Sequence, residues 1–339
     1  MAWYENLKDD SPIISCRLRL ARNLRKYPFL FKLDETQARE MIKDVTNAIM
    51  EKTNNFEFID VHKKTTIEKL TLLDYHKISH DLVRSKRPSA LISSKDDFIH
   101  VMLNEEDHIR IQSIYTGNNI EKAYELANYT DNLIEESIEY AFHETYGYLT
   151  SCPSNTGTGM RASYMLHLPM LDSLRGRMEH LTRSLASLGM TVRGLHGEHS
   201  SSEGSIFQVS NQITLGRSEE DLLKNLQKTV NQLVKTELEE LEKRKNKSSF
   251  EDSVYRAYGT LKYVRAIDIR EARSLLSKVK IGILAGVLKE EIKTPIYNIM
   301  MNVDYGALKV NYLDHIGNFE NAEHDEINAL RASYIRESL

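Results

Sequence analysis

From Asp34-Glu35 onward, apolar residues fall at Ala38, Met41, Ile42, Val45 and Ile49, the spacing of one face of a helix opened by an acidic cap. The period then shortens. Phe56-Glu57-Phe58-Ile59 alternates, Ala90-Leu91-Ile92 sits inside residues 89–93, and residues 98–103 and 109–114 read as paired strands on either side of a charged turn. Residues 118–146 return to helical spacing through Ala123, Leu126, Ala127, Leu133, Ile134, Ile138 and Ala141. Residues 150–160 are a loop rich in glycine, serine and threonine, 162–168 are strand-like and 171–188 helical. Residues 205–210 and 212–215 predict a hairpin turning at Asn211. Strands with interspersed helices predict an α+β fold.

From Ser218 the chain is helical and highly charged as far as Lys247. Beyond Phe250 the pattern gives helices without strands, at 253–264, 268–288 and 323–339. The reading is two domains, 1–248 for the mixed part and 249–339 for a small helical part that dimerises or regulates, with symmetric pairing as the base-rate expectation. No repeat or low-complexity linker separates them.

Composition narrows the class. Lys+Arg 45 against Asp+Glu 49 gives a net charge of -4, which argues against a protein that coats nucleic acid and requires any anion site to be local. Two cysteines, Cys16 and Cys152, are too few for a disulfide framework or a thiolate zinc site. The first residues show no secretory pattern, and no apolar run approaches the roughly 20 residues of a membrane helix. The expectation is a cytoplasmic protein.

Four segments carry chemistry. Ser15-Cys16-Arg17-Leu18-Arg19 comes first, then Asn104-Glu105-Glu106-Asp107-His108-Ile109-Arg110, then Cys152-Pro153-Ser154-Asn155-Thr156-Gly157-Thr158-Gly159-Met160-Arg161, then Val192-Arg193-Gly194-Leu195-His196-Gly197-Glu198-His199. Arg17, Arg19, Arg110, Arg161 and Arg193 are long side chains able to converge, and two such cations about 5 Å apart repel by roughly 3 kcal/mol at an effective dielectric near 20. A cluster of them calls for a polyanion, and the guanidinium fork suits the oxygens of a nucleotide triphosphate. Arg22 and Arg25 read as surface residues. Gly157-Thr158-Gly159 lacks the Gly-Lys-Ser/Thr ending of a phosphate loop and reads as a flexible carrier of Cys152 and Arg161. Cys152 is open between a thiolate held near cations and a small buried residue. Glu106 and Glu198 could grip a guanidinium, align one nitrogen with a γ-phosphoryl group and accept its proton. His196 and His199 lack a third metal ligand and read as polar loop, and no residue is assigned to a metal.

Together these segments resemble the phosphagen (ATP:guanido) kinases, the creatine and arginine kinase family, over roughly residues 15–216. The resemblance implies an antiparallel sheet flanked by helices, with ATP held by Ser15, Arg17, Arg19, His76, Arg110, Arg161 and Arg193. It implies Mg2+ bound through phosphates and water, Glu106 and Glu198 as guanidinium-binding carboxylates, and Cys152 as a reactive thiol beside the guanidine.

One departure redirects the reading. Phosphagen kinases carry about a hundred residues of helical domain before the Ser-x-Arg-x-Arg motif, which here begins at Ser15. The added C-terminal helices are similar to the bacterial protein arginine kinase family, McsB. That resemblance implies phosphorylation of arginine in proteins during the stress response, with targets that include a CtsR-like repressor, an McsA-like activator, and delivery of products to the ClpC–ClpP protease. A kinase of free L-arginine or another small guanidino compound is the alternative, and a non-catalytic adaptor or repressor-binding module a third. The family's Arg-Asp-x-x-Arg-Ala phosphoarginine motif reads Ile327-Asn328-Ala329-Leu330-Arg331-Ala332 here, so only its second half is kept. Gln208 stands where phosphagen kinases carry an acidic residue before Val-Ser-Asn.

Overall fold

Alternating burial along β1 (Ile13–Arg22) explains the fold's central strand: Cys16, Leu18 and Leu20 are wholly covered while Arg17 and Arg19, which alternate with them, are partly open. The sequence reading passed over this strand, although Cys16, Leu18 and Leu20 alternate with Ser15, Arg17 and Arg19. The computed structural model describes residues 3, 4, 7–194, 203–312 and 324–339.

After β1 come α1 (Glu35–Met50), β2 (Phe56–Asp60), α2 (Thr66–Asp74), α3 (His80–Arg84), β3 (Ala90–Ser94), β4 (Ile99–Leu103), β5 (Ile109–Thr116) and α4 (Ile120–Glu135). A short hairpin, β6 (Phe142–His143) and β7 (Gly147–Tyr148), leads to β8 (Met160–His167), α5 (Pro169–Asp172), α6 (Arg177–Ser187), β9 (Met190–Gly194) and β10 (Ile206–Asn211). The rest is helical: α7 (Glu219–Glu242), α8 (Ser248–Tyr263), α9 (Ile269–Leu284), α10 (Ile296–Asn302), α11 (Tyr305–Tyr312) and α12 (His324–Ser338). The strands form an eight-stranded sheet in the order β2-β3-β4-β5-β1-β8-β10-β9, with β6 and β7 apart. The fold is α+β, as the mixed periodicity predicts.

The chain divides into two compact units. The first holds residues 1–5, 15–163 and 210–227, the second 6–14, 164–209 and 228–339. In the first, the expected helix at Asp34 is capped as read: Asp34 accepts from Gln37 N–H, and Gln37 in turn accepts from Asp34 N–H. On one sheet face, Ile59, Leu91 and Met102 pack against Leu72, Leu73, Ile78, Leu82 and Val83 of α2, α3 and the turn between them. The antiparallel register puts Met102 opposite Arg110, and Arg110 opposite Ala21, so this face is the one that carries Arg17 and Arg19 farther along the sheet.

Three expected elements differ. The helix over 118–146 stops at Glu135, because Ala141 donates to Asn23 O, and Tyr140 pairs with Leu24 and bonds Asp131, drawing the chain into an extended path. The helix over 171–188 is broken into α5 and α6 at Gly176, whose φ of 73° is left-handed. The hairpin at Asn211 does not form: the Asn211 side chain accepts from Ala162 N–H and donates to Met160 O and Ile213 O, so residues 212–215 leave the sheet. Strand β9 and helices α2, α3, α10 and α11 were not anticipated.

The second unit buries α8 against α9 at Gly282, where a Cβ would stand 2.3 Å from Val254 Cγ1. Its buried charges are matched. Lys280 pairs with Asp9 at 2.7 Å, Arg273 bridges Glu203 and Asp304, and Glu237 accepts the N–H groups of Met170 and Leu171 at the start of α5. In the partial Arg-x-x-Arg-Ala stretch, Ile327 joins an apolar cluster with Leu308, while Arg331 donates to Val303 O, Ile267 O and Asn328 Oδ1. Among the described residues no helix is long and apolar enough to cross a membrane.

Candidate active site

Four arginines meet in the first unit. Arg17 and Arg19 come from β1, Arg110 from the facing strand β5, and Arg161 from the start of β8, where its Nε donates to Asn211 O at 3.3 Å. Burial pushes the Arg19 guanidinium well below the ordinary arginine range, and Arg17, Arg110 and Arg161 push it the same way while Glu105 opposes them. The buried Arg19 Nε has no hydrogen-bond partner among the described residues. A buried donor left open beside like charges is the mark of an anion site. Arg19, Arg110, Arg161, Glu105, Glu106 and Asn155 are among the residues that line a small cavity of about 70 Å³ at this place.

The acidic turn sorts its own members. Asn104, at a φ of 59°, donates to Pro88 O at 2.9 Å; Asp107 Oδ1 accepts from Asn23 Nδ2 and Ser151 N–H, both at 2.6 Å. His108 Nδ1 accepts from Leu24 N–H while its Nε2 donates to Pro28 O, which fixes the tautomer. These three are anchors. Glu105, whose side chain is wholly buried, accepts from Arg110 at 2.5 Å. Burial alone would raise its carboxyl, yet Arg110 and the hydrogen bonds of Ser79 and Glu106 N–H hold it below the usual range. Glu106 is the exposed carboxylate of the turn, and Asn155 Nδ2 stands 3.5 Å from its Oε2. Partial burial, then the neighbouring Glu105 and Asp107, raise the Glu106 pKa.

Cys152 is partly exposed at the head of a short turn over Pro153–Asn155, its Sγ 3.0 Å from Ser154 Oγ. The turn is pinned from outside by Thr214 Oγ1, which donates to Ser154 O and Thr156 O. Glycine is required on either side of Thr158. Gly157 has a φ of 116° and a Cβ there would fall 2.5 Å from Thr214 O; at Gly159, φ 64°, it would fall 2.6 Å from Ala21 O. Cys16 is buried, and burial pushes its thiol up to about 12, as suits a structural cysteine.

The other sequence-derived candidates lie as follows. Ser15 is buried at the head of β1, on the face of Arg17 and Arg19. His76, φ 58°, follows α2; its carbonyl accepts from Gln112 Nε2, and Gln112 is the residue opposite Arg19. Arg193 is on β9 in the second unit. Glu198, His196 and His199 lie outside the described residues.

Two residues were misread or missed. Arg22 is no surface residue: it is 2% exposed, pairs with Asp131 at 2.7 Å, donates to Thr158 O and lies 3.6 Å from the Tyr148 ring centroid, so it carries the glycine loop. Arg25 is exposed and pairs with Glu139. Asn155, which reaches Glu106, had only its place in the Cys-Pro-Ser-Asn segment to mark it.

Comparison with known proteins follows the same lines. Residues 37–240 match the family "ATP:guanido phosphotransferase, C-terminal catalytic domain", and residues 247–339 match the "Protein-arginine kinase McsB C-terminal domain". The chain is 40% identical to a protein-arginine kinase of Clostridium acetobutylicum, over 98% of each. It is 36% identical to that of Brevibacillus brevis, over 99% of this chain and 95% of the relative. Among solved structures, a lombricine kinase aligns with a TM-score of 0.61 at 24% identity, covering 70% of this chain and 69% of that one. The duplicated taurocyamine kinase of Schistosoma mansoni gives the same TM-score and identity over 75% of this chain and 37% of its own. The fold is that of the phosphagen kinases, and the chain belongs to the protein-arginine kinase family of ATP:guanido phosphotransferases.

Proposed function

We propose that this chain transfers the γ-phosphoryl group of ATP to the guanidinium of arginine residues in proteins. The observation that carries the reading is the open Nε of Arg19 among three further guanidiniums, beside the exposed Glu106 carboxylate. Arg17, Arg19, Arg110 and Arg161 fit a triphosphate, which relieves their mutual repulsion, and Glu105 holds Arg110 in place. The family resemblance assigns Ser15, His76 and Arg193 to the nucleotide as well. On the family resemblance, Mg2+ would arrive on the phosphates and neutralise their charge.

Glu106 grips the acceptor guanidinium and aligns one nitrogen, a task that the family resemblance assigns to Glu198 as well. The lone pair of that nitrogen attacks the γ-phosphorus as the bond to the leaving ADP oxygen breaks, and Glu106 takes the N–H proton. Its raised pKa makes it a stronger base than a free carboxylate. Cys152, across the same loop as Asn155, lies beside the guanidine.

On the family resemblance, this reading extends to a cytoplasmic chain, able to pair as a homodimer, that acts in the stress response. On this reading a CtsR-like repressor is among its substrates, an McsA-like protein activates it, and the ClpC–ClpP protease consumes its products. The test is to incubate the chain with MgATP and either an unfolded model protein or free arginine, and to read phosphate on arginine by mass spectrometry that preserves N–P bonds. Label on the protein is expected; label on free arginine alone would overturn the protein acceptor, and none on either the reaction.

A further inference from the structure

The second unit holds a cavity of about 760 Å³ that the phosphoryl-transfer chemistry does not use. That is the size range of small-molecule sites. Its walls are α5, the turn at Gly204, the α7–α8 junction and one stripe of α9. On that stripe Arg270, Ser274 and Lys278 recur at four-residue spacing, so all three look into the same space.

The lining is charged in one sense. Arg244, Lys247, Arg270 and Lys278 face two acids, Asp172 and Glu203. Both acids are engaged: Asp172 accepts from Ser205 Oγ at 2.8 Å, and Glu203 is held by Arg273. Neither Lys247 nor Lys278 forms an ion pair among the described residues, and Arg244 donates to Ser173 Oγ at 2.7 Å. Hydroxyls share the lining with the cations, from Ser173, Ser249, Ser253 and Ser274. Part of the lining is apolar, from Met170, Phe250, Val254 and Ile281, of which Met170 and Ile281 belong to one buried cluster against which Phe250 packs.

We propose that this cavity binds a small organic phosphate ester, its phosphate among Lys247, Lys278 and the serine hydroxyls and its apolar body against Phe250 and Met170. Cations and hydroxyl donors together suit a tetrahedral oxyanion, and the apolar part of the lining requires more than inorganic phosphate.

The experiment titrates the full-length chain with 1-naphthyl phosphate, 1-naphthoate and inorganic phosphate, following naphthyl fluorescence anisotropy and its competition. Naphthyl phosphate is expected to bind about tenfold or more tighter than either comparison ligand. Lys278→Glu, which reverses a cation, and Ser274→Trp, which fills the space, are each expected to weaken it about tenfold or more while kinase activity and melting temperature stay unchanged. Arg19→Met, in the first unit, is expected to leave naphthyl phosphate binding intact. Equal binding by the Lys278 and Ser274 variants, loss of binding in Arg19→Met, or naphthoate binding as tightly as the ester would each overturn the assignment.

Discussion

Glu105 and Arg110 are locked together at 2.5 Å at the floor of the cavity, and this pair leaves the adjacent Glu106 as the one exposed carboxylate of its turn. Two neighbouring glutamates therefore have opposite tasks, set by their surroundings: Glu105 is held ionised below the usual range, Glu106 is raised.

Glu106→Gln keeps the side chain's size and removes its basicity. Transfer is expected to fall by about 10²–10⁴. The dissociation constant for ATP, measured by calorimetry, is expected to stay within a few-fold of the parent because the arginines are untouched. Near-normal turnover in this variant would take Glu106 out of the mechanism.

A raised carboxyl pKa also sets a pH dependence. On the proposed role of Glu106 as the base, kcat/KM is expected to fall as pH drops through its raised pKa, with the acid limb above that of a free glutamate. A pH–rate profile with its acid limb at or below the ordinary glutamate value would contradict this.

Arg19→Met removes a cation that repels its neighbours and an open Nε, so the ligand-free protein is expected to gain roughly 1 kcal/mol of stability. The same change is expected to weaken ATP by about 100-fold. Melting curves with and without ATP read both: a higher baseline temperature and a smaller shift on adding nucleotide. A lowered baseline would mean that Arg19 is structural.

Glu237 gives a test of the second unit. It is wholly buried and burial raises its pKa to about 7, against the partial opposition of the Met170 and Leu171 N–H groups. The folded state therefore holds a proton that the unfolded chain has already released, and stability is lost as pH rises from the ordinary glutamate value to about 7. The loss is roughly 3 kcal/mol and levels off above that range. Urea denaturation between pH 5 and 8 should show this loss as the difference between the parent and Glu237→Gln, on top of the opposite slope that buried His100, His108 and His167, whose pKa values burial lowers, give to both; identical slopes in the two would refute it.

Cys152→Ser is expected to lower activity only in part, and to abolish inhibition by thiol oxidants, because Cys16 is buried and its thiol stays protonated. Oxidant sensitivity that persists in the serine variant would assign the effect elsewhere.

What was legible in the sequence was local. The Asp34 cap, the strands around the acidic turn and the charged helix α7 follow from periodicity, and the motif spacing singled out Arg17, Arg19, Arg110, Arg161 and Glu106, four cations and an acid that the fold brings together. Features decided by distant partners were not legible. Arg22 looks like any exposed arginine until Asp131 and Tyr148 close over it from more than a hundred residues away, and Asn211 looks like a turn residue until β8 claims its amide. Strand β1 was legible too, since Ser15, Arg17 and Arg19 alternate with Cys16, Leu18 and Leu20, but the segment was read only for its arginines.

The carboxylate of Asp107 is shared by two chain segments, the Asn23 side chain of one and the Ser151 backbone of the other, both at 2.6 Å. The segment that carries Glu106 and the segment that carries the Cys152 thiol are thus cross-braced through one oxygen atom. Their separation is set before any acceptor arrives, so an incoming polypeptide must adapt its own backbone to a fixed gauge.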